Sequence, residues 1–394
     1  MARRVAIVAA RRTPIGKFLG AFSEMSAADL GASIVKDTLA SAGLRGDQID
    51  EVILGCARQA GGGPNPARQV SWRAGCPETV PAYTVNKACG SGLKSIVLAT
   101  QAILLGDAEI VVAGGMESMS RVPYMLPRAR TGYRLGHAEL ADGMYLDGFL
   151  CPLCKDLMGK TAENLADEYH IRRDEQDAYA VRSQNRAENA IKSGWFASEI
   201  APVEVADAKG KTTSVAQDEH VRLGATIDGM KKLPAVFKEG GTVTAGNSSG
   251  ITDGAAALVL MSEEKARALG KEPIGFVEGY VSAGVAPRTM GLGPVPAVKK
   301  LNQKLGLSVA DYELVELNEA FAAQVIACNK ELGFDLERTN VAGSGISLGH
   351  PIGATGARIV VTLLHGMKRT GARRGLATLC ISGGQGMAVS FTRA

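Results

Sequence analysis

The side chains best suited to chemistry sit at four glycine-framed turns. Cys89 lies in VNKACGSGLKSIVL, between Ala88 and the run Gly90, Ser91, Gly92. The preceding PAYTVN is rich in strand formers, and Leu93 to Leu105 carries apolar residues at Ile96, Val97, Ile103 and Leu104 without a proline. The pattern predicts strand, tight turn and helix, with the thiol on the turn. Glycine there lets backbone and ligand approach closely. A thiol at a helix N-terminus also gives up its proton more readily, because it faces the positive end of the helix dipole. Asn318 and Glu319 end a strand pattern in ELNEAFAAQ, and His350 stands on a glycine-rich turn into a helix in GISLGHPIGATGAR. Cys380 ends a strand in LCISGGQG, ahead of Gly383, Gly384 and Gly386. Singly, each has an ordinary use: the cysteines as core, Asn318 and His350 as helix caps. Together, each at a strand-to-helix turn where ligand sites of α/β proteins gather, they point to one shared site.

The rest of the chain must position them. Of 394 residues, 46% are hydrophobic, 21% charged and 5% aromatic, with 48 glycines, which describes a tightly packed α/β protein rather than a disordered or fibrous one. The net charge of +4, with no polybasic tract, argues for no nucleic-acid partner and is compatible with an anionic small molecule. MARRVAIVAARRTP runs straight into a strand pattern, and no apolar run reaches the ~20 residues that would span a bilayer. Seven cysteines at irregular spacing then read as reduced thiols in a cytoplasmic protein. CPLC, with Cys151 and Cys154, has zinc or redox spacing but no second ligand pair. Packing is its favoured use, and no metal is expected.

Strand patterns at Arg4–Ala10, Asp50–Gly55, PAYTVN and Glu109–Gly115 alternate with helical ones at Ser26–Ala42, Gln69–Ala74 and after Cys89, a doubly wound βα order. From Met116 to about Val243 strand runs give way to turn-rich segments and a long amphipathic stretch, 160–190, broken at IRRDEQ. The βα pattern resumes with strands at Ala255–Met261, Ile274–Tyr280, Leu314–Leu317 and Arg374–Ser382, and helices at Ser262–Leu269, Gly293–Leu305, Ala320–Leu332 and Ile352–Arg369. CGSGLKSIVLATQAI leading to EIVVAGG is echoed by GHPIGATGARIVVTLL leading to LATLCISGG, an internal duplication. The expected division is an N-terminal α/β half over 1–118, an inserted loop domain over 119–248 and a C-terminal α/β half over 249–394.

TVNKACGSGLKSI, GGMESMSRVPY, MGKTAENLA, TVTAGNSSGITDGAA, MGLGPVP, NEAFAAQ, GHPIGATGAR and CISGGQG span nearly the whole chain. In this order they resemble the thiolase family, and more closely its biosynthetic and broad-range bacterial members. The resemblance implies a five-layered α/β/α/β/α fold of two similar halves, a loop domain over the site, and a homodimer or homotetramer. It implies acyl-CoA thioesters as substrates, with coenzyme A as a substrate group and no separate cofactor. Cys89 would be the acyl nucleophile, activated by His350, which would also bind a thioester oxygen. Cys380 would move the α-proton, and Asn318 would hold a water that completes one oxyanion hole. The backbone N–H groups of Cys89 and Ser382 would form the other. Arg222, Ser249 and Phe149 match positions that touch coenzyme A, and Met158 and Met290 positions that line the acyl pocket. Ser382 replaces a glycine common in the family, and Leu157 a histidine of acetoacetyl-specific relatives; a less polar pocket would admit chains beyond acetyl. His137, His170, His220 and His365 read as surface or capping residues. Two other readings stay open. A ketoacyl synthase-type condensing enzyme typically lacks the second cysteine turn, and a non-catalytic acyl-CoA-binding scaffold would be expected to have lost Cys89 or His350.

Overall fold

The computed structural model describes residues 3–206 and 209–394. Its main sheet contains β1 (Val5–Arg12), β2 (Glu51–Gly55), β3 (Ala82–Val85), β4 (Ile110–Ser118), β5 (Thr252–Ser262), β6 (Gly275–Gly284), β7 (Leu314–Leu317), β8 (Arg374–Ile381) and β9 (Gln385–Thr392). The spatial order is β7-β8-β9-β6-β1-β5-β4-β2-β3, and a two-residue strand, Gly16–Lys17, adds to β5. The principal helices are α1 (Ala27–Ala42), α2 (Pro66–Arg73), α3 (Ser91–Leu105), α4 (Met158–Glu168), α5 (Arg173–Lys192), α6 (Pro294–Leu305), α7 (Ala322–Leu332) and α8 (Ile352–Thr370).

The order is palindromic about the β1–β6 seam, where only Ala6 with Phe276 and Ile7 with Gly275 pair. On one side β1, β5, β4, β2 and β3 follow; on the other β6, β9, β8 and β7, continued by a parallel bridge from Val315 to Thr339. Each step keeps its sense: antiparallel from β1 to β5 and β5 to β4, as from β6 to β9 and β9 to β8, then parallel in both halves. The weak seam divides the ladder into two sheets, which stack rather than lie flat. Leu93, Ile96 and Val97 of α3 and Ile359, Val360 and Leu363 of α8 fill the space between them, in one core with Val111, Leu258 and Leu379. α1 and α2 cover the outer face of the first sheet, and α6 and α7 that of the second. These are the five layers the resemblance implies, built from a duplicated unit.

Two expectations are corrected. The Gln385–Thr392 strand, unassigned in the sequence reading, forms a hairpin with β8. And β5, placed in the C-terminal half by the 249–394 boundary, lies between β1 and β4 in the N-terminal sheet. The insertion therefore interrupts the first half between β4 and β5, where the second half has only the tight turn from β8 to β9. Long-range pairing decides which sheet a strand joins, and a run such as GAAALVLM carries no sign of its neighbours. The insertion is anchored to β1: wholly buried Arg12 meets Glu199 at 2.6 Å and Asp218 at 2.7 Å.

The two inner helices cross through glycine. A Cβ on Gly92 would lie 2.7 Å from the Ala357 nitrogen and 3.0 Å from the Gly353 oxygen, both backbone atoms that cannot swing aside. Gly92→Ala is expected to cost about 1–3 kcal/mol by overpacking, read as a lower denaturant midpoint; an unchanged midpoint would mean that the crossing relaxes freely.

Candidate active site

The inner helices start at the same end of the molecule, and each start carries chemistry. Before α3, Ala88 takes φ 45, the left-handed region unusual for a side-chain-bearing residue, and throws Cys89 out of the turn. Ser91 ties the elbow down: Lys87 N donates to its Oγ at 2.8 Å, and that hydroxyl donates to Ala88 O at 2.6 Å. Before α8, Gly349 at φ 103 turns His350 inward, and His350 N donates to Gly250 O at 3.0 Å. Cys380 is the next-to-last residue of β8, and the side chain of the last, Ile381, packs on Gly90 beside Cys89. Gly383 and Gly384, both left-handed, then turn the chain back.

A cavity of about 630 Å³ opens over these elements. Its walls include Cys89, His350, Cys380, Ser382, Phe149, Met158, Met290, Arg222 and Ser249. Of the catalytic and substrate-contacting residues that the resemblance assigns, Asn318 alone is missing from this surface. It is wholly buried, and neither its amide oxygen nor its nitrogen has a partner among the described residues. A buried amide without partners is costly, so Asn318 is set to meet a small polar molecule rather than the cavity directly. Its neighbour Glu319 is fully engaged, accepting from Tyr179 Oη at 2.8 Å, Ser183 Oγ at 2.6 Å, Asn340 Nδ2 at 3.1 Å and Ile346 N at 3.2 Å. Tyr179 and Ser183 belong to α5, so the insertion clamps this turn in place.

Electrostatics separate the roles available to each group. Burial pushes the Cys89 thiol up; the N–H groups of Ser382 and of Cys89 itself, with the Arg58 charge, pull the other way. Both backbone donors proposed from the sequence thus converge on the sulfur. Burial, with the Cys89 charge adding to it, holds the Cys380 thiol well above the usual range. Burial first, then the charges of Arg358 and Arg58, depress His350 to about 3, so its ring is neutral. His350 Nδ1 lies 2.6 Å from Thr355 Oγ1, which donates its own proton to Pro351 O at 3.0 Å. Thr355 therefore accepts from Nδ1–H, and the partnerless Nε2 is left with a lone pair, the form a base needs.

Two wall residues, His220 and Arg58, and the buried Glu117 went unrecognised in the sequence. His220, expected at the surface or in a cap, lines the cavity, where burial and Arg222 lower it to about 4. Arg58 stands beside Cys89 in a loop that reads as solvated. Glu117, wholly buried, accepts from Ala57 N at 3.1 Å, Arg58 N at 3.0 Å and Gly353 N at 2.8 Å, tying the Cys89 side to the start of α8. Leu150, Pro152 and Leu157 bring the CPLC turn to the cavity rim.

The chain matches the thiolase N-terminal domain over residues 5–264 and the thiolase C-terminal domain over 271–393. It is 52% identical to the acetyl-CoA acetyltransferase of Escherichia coli over 388 residues, covering 98% of each chain. It is 51% identical to that of Cupriavidus necator over 389 residues, 99% of each. Among solved structures, the Bacillus anthracis acetyl-CoA acetyltransferase superposes with a TM-score of 0.98 at 44% identity, covering 100% of this chain and 99% of that one. Human mitochondrial 3-ketoacyl-CoA thiolase does so with a TM-score of 0.96 at 41% identity, covering all of both. With both domain matches spanning the duplicated halves and full-length relatives at half identity, the chain belongs to the thiolase family.

Proposed function

We propose that this protein catalyses the reversible Claisen condensation of two acetyl-CoA to acetoacetyl-CoA and CoA, and the reverse thiolysis, through an acyl group on Cys89. What carries the proposal is the meeting of Cys89 and His350, from opposite halves, with Cys380 in one cavity. Relatives named acetyl-CoA acetyltransferase at half identity support it.

Nε2 of His350 takes the Cys89 proton and the thiolate attacks the acetyl carbonyl. The oxyanion is held by the N–H groups of Cys89 and Ser382, and CoA leaves with the Cys380 proton, which frees Cys380 as a thiolate while the Cys89 proton stays on His350 Nε2. A thiolate suits this exchange because nucleophile and leaving group are alike. Cys380 then removes a proton from the methyl group of the second acetyl-CoA, and the carbanion attacks the acyl group, releasing Cys89. In that step His350, with a water on Asn318, faces the thioester oxygen, which asks for a proton on Nε2. The Thr355 hydroxyl serves this charged ring as well, still accepting from Nδ1–H. Phe149, Ser249 and Arg222 would receive the coenzyme, and Met158 and Met290 the acyl group. Thr355→Val leaves Nδ1 without a partner in either state, and kcat is expected to fall about 10²-fold with KM little changed. Equal kcat in steady-state assays would remove Thr355 from the mechanism.

Iodoacetamide tests the proposal. Alkylation is expected at Cys89, with loss of activity and protection by acetyl-CoA. Its rate should still be climbing at pH 9, because burial raises the thiol. Alkylation that leaves acetoacetyl-CoA thiolysis intact would overturn the assignment. We also propose a homodimer or homotetramer in the cytoplasm. Among the described residues the outer edge of β3 is unpaired, and Tyr124, Leu126, Leu135 and Leu140 are exposed on the insertion. A reducing compartment suits a reaction that needs two free thiols.

A further inference from the structure

We propose that Arg58 forms an anion-receiving subsite beside Cys89 that accepts acyl groups ending in a carboxylate; this rests on the acyl-transfer function proposed above. Arg58 is only 9% exposed and sits in the cavity wall. Among the described residues its guanidinium makes no hydrogen bond or ion pair, and Nε is buried without a partner. It lies flat on the Gly148 backbone, where no side chain would clear Nη2, with its central carbon 6.0 Å from the Phe149 ring centre. The nearby Glu117 accepts from the backbone N–H of Arg58 and feels its charge, but makes no hydrogen bond or ion pair with the guanidinium. Asp147, the one acid among the lining residues, is exposed and makes no ion pair with Arg58.

Glu117 is near enough for the two charges to act on each other, but no acid pairs with the guanidinium itself, and a buried cation without a hydrogen-bonded partner is stabilised further when a ligand brings one. The planar fork of arginine matches a carboxylate in two parallel hydrogen bonds. The position selects which anion arrives. Ala57 and Phe149 share one apolar cluster with Cys89, and the Arg58 charge is felt at both Cys89 and His350. The phosphates of coenzyme A are held away from its sulfur by the pantetheine arm. With that sulfur at Cys89, only the acyl chain can carry a charge to Arg58.

The reaction is then thiolysis of a 3-ketoacyl-CoA with a terminal carboxylate. The Cys89 thiolate attacks C3, the C2–C3 bond breaks, and its electron pair takes the Cys380 proton to leave as acetyl-CoA. The carboxyacyl group, now on Cys89, moves to a second CoA, whose thiol proton returns to Cys380. For 3-oxoadipyl-CoA and CoA the products are succinyl-CoA and acetyl-CoA, which balances.

The test compares 3-oxoadipyl-CoA with 3-oxohexanoyl-CoA, equal in chain length and differing in carboxylate against methyl, in the full-length enzyme and its R58L and R58K variants. The wild type is expected to cleave 3-oxoadipyl-CoA. R58L should lower the ratio of kcat/KM for 3-oxoadipyl-CoA over 3-oxohexanoyl-CoA roughly 10- to 100-fold, and R58K should restore part of it. A wild type that cleaves acetoacetyl-CoA but not 3-oxoadipyl-CoA overturns the subsite, as does a ratio unchanged in R58L. If R58L slows both substrates alike and moves the pH profile of Cys89 alkylation upward, the charge serves the thiolate and the subsite is refuted. A wild type inactive even on acetoacetyl-CoA sinks the acyl-transfer function, and the subsite with it. Should R58L fail to fold, the wild-type comparison and R58K still decide.

Discussion

A Cys89→Ala enzyme is expected to lose condensation and thiolysis together, by at least about 10⁴-fold in kcat, as removal of a covalent nucleophile does elsewhere. The side chain lies on a turn already fixed by Ser91, so the fold should be untouched. Cys380→Ser should separate the two half-reactions. Acetyl transfer to Cys89, followed by mass spectrometry of the intact protein, should persist. Carbon–carbon bond formation should fall about 10³- to 10⁴-fold, because a serine hydroxyl is a far weaker base than a thiolate. A Cys380→Ser enzyme that condenses acetyl-CoA at the wild-type rate would place the proton transfer on another residue. One that no longer accepts an acetyl group would show that the two sulfurs act as a unit.

The other large effect falls on stability. Glu117 is the sole partner found for three buried backbone N–H groups drawn from two distant segments. Glu117→Ala strands all three. At about 1–3 kcal/mol for each unsatisfied buried donor, the loss approaches the ~5–15 kcal/mol that holds a typical protein folded. The variant is expected to unfold at much lower denaturant or to be recovered mostly insoluble. Glu117→Gln should fall between, since it keeps one acceptor oxygen but turns an NH₂ group toward donors. A Glu117→Ala midpoint equal to the wild type would show that the N–H groups find other partners.

The chemistry-bearing residues were legible because each occurs where sequence pattern is strongest. Cys89, His350 and Cys380 follow or precede glycines whose only use is a tight turn or a close approach, and all three reach the cavity. Asn318 was legible as a residue but not in its depth, since strand-end position does not say which layer faces the ligand. Arg58 and His220 could not be found that way. An arginine in CARQAGGGPNPAR and a histidine in DEHVRLG look like solvated loop residues, and only long-range packing of the insertion over the core encloses them. Glu117 sits in an otherwise apolar strand end, GGMES, and its partners lie about sixty and more than two hundred residues away. The helix boundaries at α1, α6 and α8 followed from local signals; α1 has the Ser26–Asp29 capping box. The α2 start was missed because Pro66 at its first turn was read as loop.

The palindromic sheet has a consequence for how the protein could be divided. The thiol comes from one repeat and the imidazole from the other, so neither repeat is a smaller version of the enzyme. Cutting the chain between Leu269 and Ile274 would leave two pieces, each with one apolar helix stripped of its mate and each silent by itself. Made together in one cell, they should find each other through those helices and recover turnover, whereas two copies of the same piece should not.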